Sequence, residues 1–116
     1  MKPILLTILA LAASAQQSAH PETVMVTCHA KPGSESELQR VLTRHWNTAR
    51  DLKLVSDTPH MRLRGVENGQ TYFVEIFTWS DAAIPDHAPP AIQSIWAEMN
   101  KLVEGHGIEI AEVTPY

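Results

Sequence analysis

Asn68-Gly69 separates two strand-like runs and leaves the chain few choices at that point. A type I′ turn needs positive φ at both central residues, which asparagine and glycine tolerate, and its twist matches that of two antiparallel strands. With Glu67 and Gln70 flanking the turn, the register is fixed: Leu63 opposes Val74, Met61 opposes Ile76, Arg62 opposes Glu75 and His60 opposes Phe77. Side chains alternate across a strand, so the hairpin sorts its residues onto two faces. One face takes Met61, Leu63, Tyr72, Val74 and Ile76. The other takes His60, Arg62, Arg64, Phe73, Glu75, Phe77 and Trp79, a mixture of charge and aromatic rings.

The flanking segments supply the rest of a domain. Val24 to Ala30 reads as a strand ended by the turn pair Pro32-Gly33. Ser34-x-x-Glu37 has the form of a capping box, and Leu38, Val41, Leu42, His45, Trp46 and Ala49 follow as one apolar helical stripe that fades around Asp51 to Lys53. A connection rich in proline, Ser80 to Pro90, leads to a second stripe of Ile92, Ile95, Trp96, Met99, Leu102 and Val103, with Gly105 and Gly107 as its stop. Ile108 to Thr114 is the last strand. The order is βαββαβ. Two helices with one apolar stripe each must bury those stripes on a sheet, and right-handed crossovers then give an α+β, ferredoxin-like domain. Its four-stranded antiparallel sheet carries both helices on one face. The other face keeps large apolar groups, which predicts a homodimer packed sheet on sheet.

The first residues belong to targeting. Lys2, an apolar run from Ile4 to Ala13 and the small-x-small pattern Ala13-Ser14-Ala15 predict a signal peptide over residues 1–15, cleaved near Gln16. The run is too short to span a bilayer, so the expected product is exported, periplasmic or secreted, with no membrane span after cleavage. Residues 16–21 read as a flexible stretch and residues 22–116 as the domain. The net charge of −4 and the absence of a basic stripe exclude a nucleic-acid partner. Cys28 is the only cysteine, so no intrachain disulfide forms, and its place in an apolar strand reads as an inert core thiol.

The run Tyr72-Phe73-Val74-Glu75-Ile76-Phe77-Thr78-Trp79, then Ser80-Asp81-Ala82-Ala83 and His87, resembles the antibiotic-biosynthesis-monooxygenase-like (ABM-like) domains of the dimeric α/β-barrel superfamily. The resemblance implies a dimeric barrel with a cavity between sheet and helices for a small, flat, aromatic or quinone-like molecule, which some relatives oxidise with dioxygen and no cofactor. The chain departs from the family pattern at Phe77, where a glutamate is usual, and at the prolines 85, 89 and 90. Heme-degrading relatives use an Asn, a Trp and a helix-borne His; Trp79 could match the Trp, no residue matches the Asn, and His87 precedes the position of the His.

Cofactor-free oxidation needs a base to make an electron-rich anion and a dry pocket to hold it. The candidates for that work are His60 or His87 as base and Arg62 as the partner of a developing oxyanion, with Glu75, Phe77 and Trp79 binding the substrate. Each has a simpler explanation. Arg62 and Glu75 face each other across the hairpin and could form no more than an ion pair, Trp46, Trp79 and Trp96 could be core anchors, and His45 on an apolar stripe reads as a core or boundary residue. The six histidines show no paired ligand spacing, so no metal site is expected, although His29, His60 and His87 could converge on a metal or heme. An ABM-like enzyme predicts a cavity lined by His60, Arg62, Glu75, Phe77, Trp79 and His87. A non-catalytic dimeric ligand-binding or envelope module predicts that these residues pair with one another and fill the space.

Overall fold

The computed structural model describes residues 20–116. The expected signal peptide and residues 16–19 of the stretch behind it lie outside the described residues. Strands β1 (Glu22–Ala30), β2 (Met61–Glu67), β3 (Gln70–Trp79) and β4 (Val103–Glu112) form one antiparallel sheet in the order β2-β3-β1-β4. Helices α1 (Glu35–Asp51) and α2 (Pro90–Leu102) occupy the two crossovers, which is the ferredoxin-like arrangement. A short 3-10 turn, Ile84–His87, precedes α2.

The hairpin register is the one that the turn dictates. Arg62 pairs with Glu75, Leu63 with Val74 and Met61 with Ile76, and Asn68 and Gly69 take φ of 53° and 78°. β2 starts at Met61, so His60 stands just outside the ladder instead of opposite Phe77.

The parity of the register decides which face is covered. Along β1, Val24, Val26, Cys28 and Ala30 are buried, and along β3 their cross-strand partners Phe77, Glu75 and Phe73 are buried with them. The helices therefore lie over the face that mixes charge with aromatic rings. The aliphatic face stays open, with Met61 and Leu63 each 50% exposed. Gly65 belongs to this open face, where the ring of Tyr72 lies across it so closely that an added Cβ would clash with the ring.

Helix α1 buries Leu38, Val41, Leu42, His45, Trp46 and Ala49, the stripe read from the sequence. Leu38 of α1 and Ile92 of α2 are fully buried, each contributing about 1.5–3 kcal/mol relative to an exposed side chain. An exposed ion pair between Arg44 and Glu98 ties the two helices together at the surface.

Two local expectations are corrected. Ser34 makes no side-chain cap bond, because its backbone (φ −102°, ψ 5°) is not in the extended region from which a capping hydroxyl reaches back to the first turn. Its carbonyl accepts the Leu38 N–H at 2.9 Å, and Glu35 and Glu37 complement the helix dipole. The second correction concerns Gly105 and Gly107, which lie inside β4 and do not end α2. Val103, a β-branched residue with extended φ and ψ, turns the chain from helix to strand with no loop between. Cys28 pairs with Ile108 but Ala30 pairs with Val103, so β4 carries extra residues against β1, and Gly105 and Gly107 absorb them at φ of 71° and 81°.

Candidate functional site

Beneath α2 the covered face of the sheet is not filled. A cavity of about 510 Å³ lies between β1, β3, β4 and the two helices, a volume suited to a small organic molecule. Phe77, Trp79 and Trp96 supply its aromatic wall; Val24, Val26, Leu42, Met99, Ile108 and Ile110 supply aliphatic surface; Glu75, His45, Asn100 and Glu22 supply polar atoms. Phe77 and Trp79 meet edge to face at 5.1 Å between centroids, as do Trp79 and Trp96 at 6.3 Å. The wall is thus a rigid set of interlocked rings.

Two buried polar side chains enter this apolar space. Glu75 is 4% exposed and His45 is 5% exposed. Glu75 reaches the cavity because β3 places it on the covered face, between Phe73 and Phe77. Its Oε2 accepts a hydrogen bond from Arg62 Nε at 3.0 Å, and Arg62 also donates through Nη2 to Thr43 Oγ1 at 2.8 Å. Burial pushes the Glu75 carboxyl above its ordinary range, and the charge and hydrogen bond of Arg62 offset only part of that rise.

His45 comes from the middle of α1 and is ringed by aromatic side chains, with Phe77 at 6.0 Å, Trp79 at 6.2 Å and Trp96 at 6.3 Å between centroids. Trp96 Nε1 donates to His45 Nε2 at 2.9 Å. Burial lowers the His45 pKa to about 4, so the ring is neutral at physiological pH. At the rim, loss of solvent and then the neighbouring Glu112 and Asp86 carboxylates raise the pKa of Glu22.

Three of the six expected cavity residues, Glu75, Phe77 and Trp79, line this space. The other three are elsewhere. Arg62 lies on the outer side of Glu75, in a shallow groove with Gln39, Leu63, Arg64 and Phe73, and its guanidinium is committed to Glu75 and Thr43. His60 stacks on Trp46 with ring centroids 3.5 Å apart and planes 10° from parallel, and its Nε2 is buried without a partner among the described residues. Burial, then the charges of Arg62 and Arg50, lower its pKa. His87 is exposed on the 3-10 turn. Two cavity residues, His45 and Trp96, were readable only as core from the sequence. The signal available was a histidine in an otherwise apolar helical stripe, and its meaning depended on a tryptophan far along the chain.

Cys28 is 1% exposed, and burial followed by the nearby Glu75 charge pushes its thiol up to about 12, which makes it inert. Among the described residues no group of three or more His, Cys, Asp or Glu side chains is placed to hold a metal ion. His29 is on the open face beside Tyr72, apart from His60 and His87. The cavity does not fit a heme ligand either. His45 is its only histidine among the described residues, and the Nε2 lone pair that iron would need accepts the Trp96 N–H.

The same architecture is found in solved structures. SnoaB from Streptomyces nogalater, a cofactor-independent oxygenase seen there as a variant, superposes with a TM-score of 0.64 at 19% identity, over 84% of this chain and 94% of that one. The chain has the ABM-like fold. Rv0793 from Mycobacterium tuberculosis matches with a TM-score of 0.62 at 14% identity, over 84% of this chain and 96% of that one. A candidate antibiotic biosynthesis monooxygenase from Bacteroides thetaiotaomicron matches with a TM-score of 0.57 at 16% identity, over 83% and 90%. By sequence, the chain matches no family model and no curated protein. At these identities the likeness is one of fold, and the chemistry of this domain has to be argued from its own cavity.

Proposed function

We propose that the protein binds a small aromatic, quinone-like molecule in the cavity under α2 and oxidises it with dioxygen, without a cofactor. The observation that carries this reading is the cavity itself, about 510 Å³ walled by Phe77, Trp79 and Trp96, with only two buried polar side chains facing in. SnoaB, which shares the fold, is described as a cofactor-independent oxygenase, which supports the same chemistry.

Within this reading Glu75 is the base. It lines the cavity, whereas His60, His87 and Arg62 do not, and its raised pKa brings it closer to the pH at which proton transfer is efficient. Arg62 holds the carboxylate in place from the outer side. Removal of a phenolic or benzylic proton leaves an electron-rich anion, and dioxygen accepts its electrons. The aromatic and aliphatic walls limit the water that would quench that anion. The proposal includes export, from the N-terminal segment, and a homodimer formed through the open sheet face, where Met61 and Leu63 are half exposed.

The Arg62–Glu75 pair favours a second reading, a dimeric module that binds the ligand without turnover, since a carboxylate held by a guanidinium is a weaker base. One experiment separates the two. Oxygen uptake and tryptophan fluorescence are followed while the protein is titrated with a panel of quinols and phenols. Saturable quenching with oxygen uptake, and loss of uptake in Glu75→Gln, is the outcome expected of the enzyme. Quenching without uptake leaves the binding module. Neither signal across the panel ends both readings.

A further inference from the structure

The His45–Trp96 pair fixes more than a ring position. An indole N–H can only donate, so the nitrogen facing it must carry the imidazole lone pair. Trp96 Nε1 lies 2.9 Å from His45 Nε2, which assigns the lone pair to Nε2 and the proton of the neutral ring to Nδ1. In water a free histidine favours the opposite arrangement, so the indole selects the less common tautomer. Among the described residues the one side-chain hydrogen bond of His45 is the one at Nε2, and Nδ1 has no partner there. His45 as a whole is 5% exposed and lines the cavity. The space that His45 lines is the cavity, whose walls are largely aromatic and aliphatic, with Glu75, Asn100 and Glu22 as its other polar side chains.

We propose that His45 is the specificity-determining donor of this site: its Nδ1–H, oriented by the Trp96 indole, selects aromatic ligands that present an acceptor oxygen, such as an aryl ketone or quinone carbonyl. The inference rests on the cavity being a ligand site and adds which atom of the ligand is recognised. It also assigns His45 a role different from that of a base. The basic nitrogen is occupied by Trp96, so the ring gives a hydrogen bond and takes no proton. A hydrocarbon that fills the cavity would leave this donor unpaired. The carbonyl oxygen of a ketone removes that penalty.

The test uses a matched pair of probes, 1-tetralone and tetralin, which differ by one carbonyl and share a two-ring outline. Affinities for both are measured by calorimetry on the full chain and on the variants His45→Phe and His60→Phe. The expected result is a fall of roughly tenfold in the ketone-to-hydrocarbon affinity ratio in His45→Phe, with the ratio unchanged in His60→Phe. An unchanged ratio in His45→Phe overturns the inference while leaving the cavity a ligand site. Failure of the wild-type protein to hold either probe overturns the cavity reading and the inference together. A second measurement needs no core substitution. Long-range ¹H–¹⁵N spectra of the wild-type protein at neutral pH are expected to show His45 protonated on Nδ1, and an Nε2-protonated ring would overturn the inference whatever the titrations give.

Discussion

Two histidine–tryptophan pairs sit on the helix-covered side of the sheet, and their rings meet in different ways. His60 lies flat on Trp46, 3.5 Å between centroids, with its Nε2 buried and unpartnered. His45 meets Trp96 through a hydrogen bond, Nε1 to Nε2, at 2.9 Å. Stacking fixes the plane of an imidazole but not which nitrogen holds the proton. A hydrogen bond from a group that can only donate fixes both. The first pair is a packing device on α1, and the second fixes the proton of a histidine that lines the cavity. Position in the chain conceals this contrast, since His45 and Trp46 are neighbours on one helix.

The largest effect expected from breaking the contrast comes from Arg62, whose charge bears on His60 as well as on Glu75. Arg62→Met strands the Glu75 carboxylate in a buried site and should cost about 3–4 kcal/mol at about pH 8. The cost should shrink at a lower pH, because the raised pKa of Glu75 lets the carboxyl protonate instead. Urea unfolding at the two pH values checks it, and equal losses at both would show that Glu75 is not the group left unpaired. His60 should titrate higher in this variant while His45 does not move.

Acid stability should expose the buried, neutral His45 next. The folded pKa of His45 is about 4 against the usual 6.5, so the unfolded chain takes up the proton first as pH falls. Stability from this group is complete above about pH 6.5 and is lost on the way down to about pH 4, on the order of 3 kcal/mol. Glu75 works the other way: its folded pKa is raised, so the native state binds that proton first and part of the loss is offset. His45→Phe should flatten the acid limb of a urea-midpoint profile, and an unflattened limb would mean that His45 is not neutral in the fold.

Smaller effects follow. Trp96→Phe leaves His45 Nε2 without its donor and should destabilise by about 1–2 kcal/mol while releasing the tautomer. Nuclear magnetic resonance of the ring nitrogens reads the release directly. On the far side of the sheet, Gly65→Ala drives a methyl group into the Tyr72 ring, which must swing aside at a cost of about 1 kcal/mol. Neither histidine should respond, so movement of either one's pKa would show that the two faces are coupled.

Local chemistry made most of the fold legible. Asn68-Gly69 fixes the hairpin register, and parity then places Glu75, Phe77 and Trp79 on one face, where all three line the cavity. The helical stripes gave both helices because apolar spacing and burial have the same cause. Gly105 and Gly107 misled because positive φ suits a strand bulge as well as a helix end. His45 was hidden for a different reason: its distinguishing contact is with Trp96, 51 residues on, and no periodicity encodes which edge of a buried ring meets which partner. His60 and His87 drew attention by lying near the aromatic strand, but neither lines the cavity.

Because α2 passes into β4 without a loop, Trp96 on the helix and Ile108 and Ile110 on the strand, all lining the cavity, are carried by one continuous stretch of chain. The extra residues around Gly105 and Gly107, both at positive φ, are the one place in that stretch where the strand departs from a regular ladder with β1, so a residue with a Cβ there would strain the segment that carries both walls.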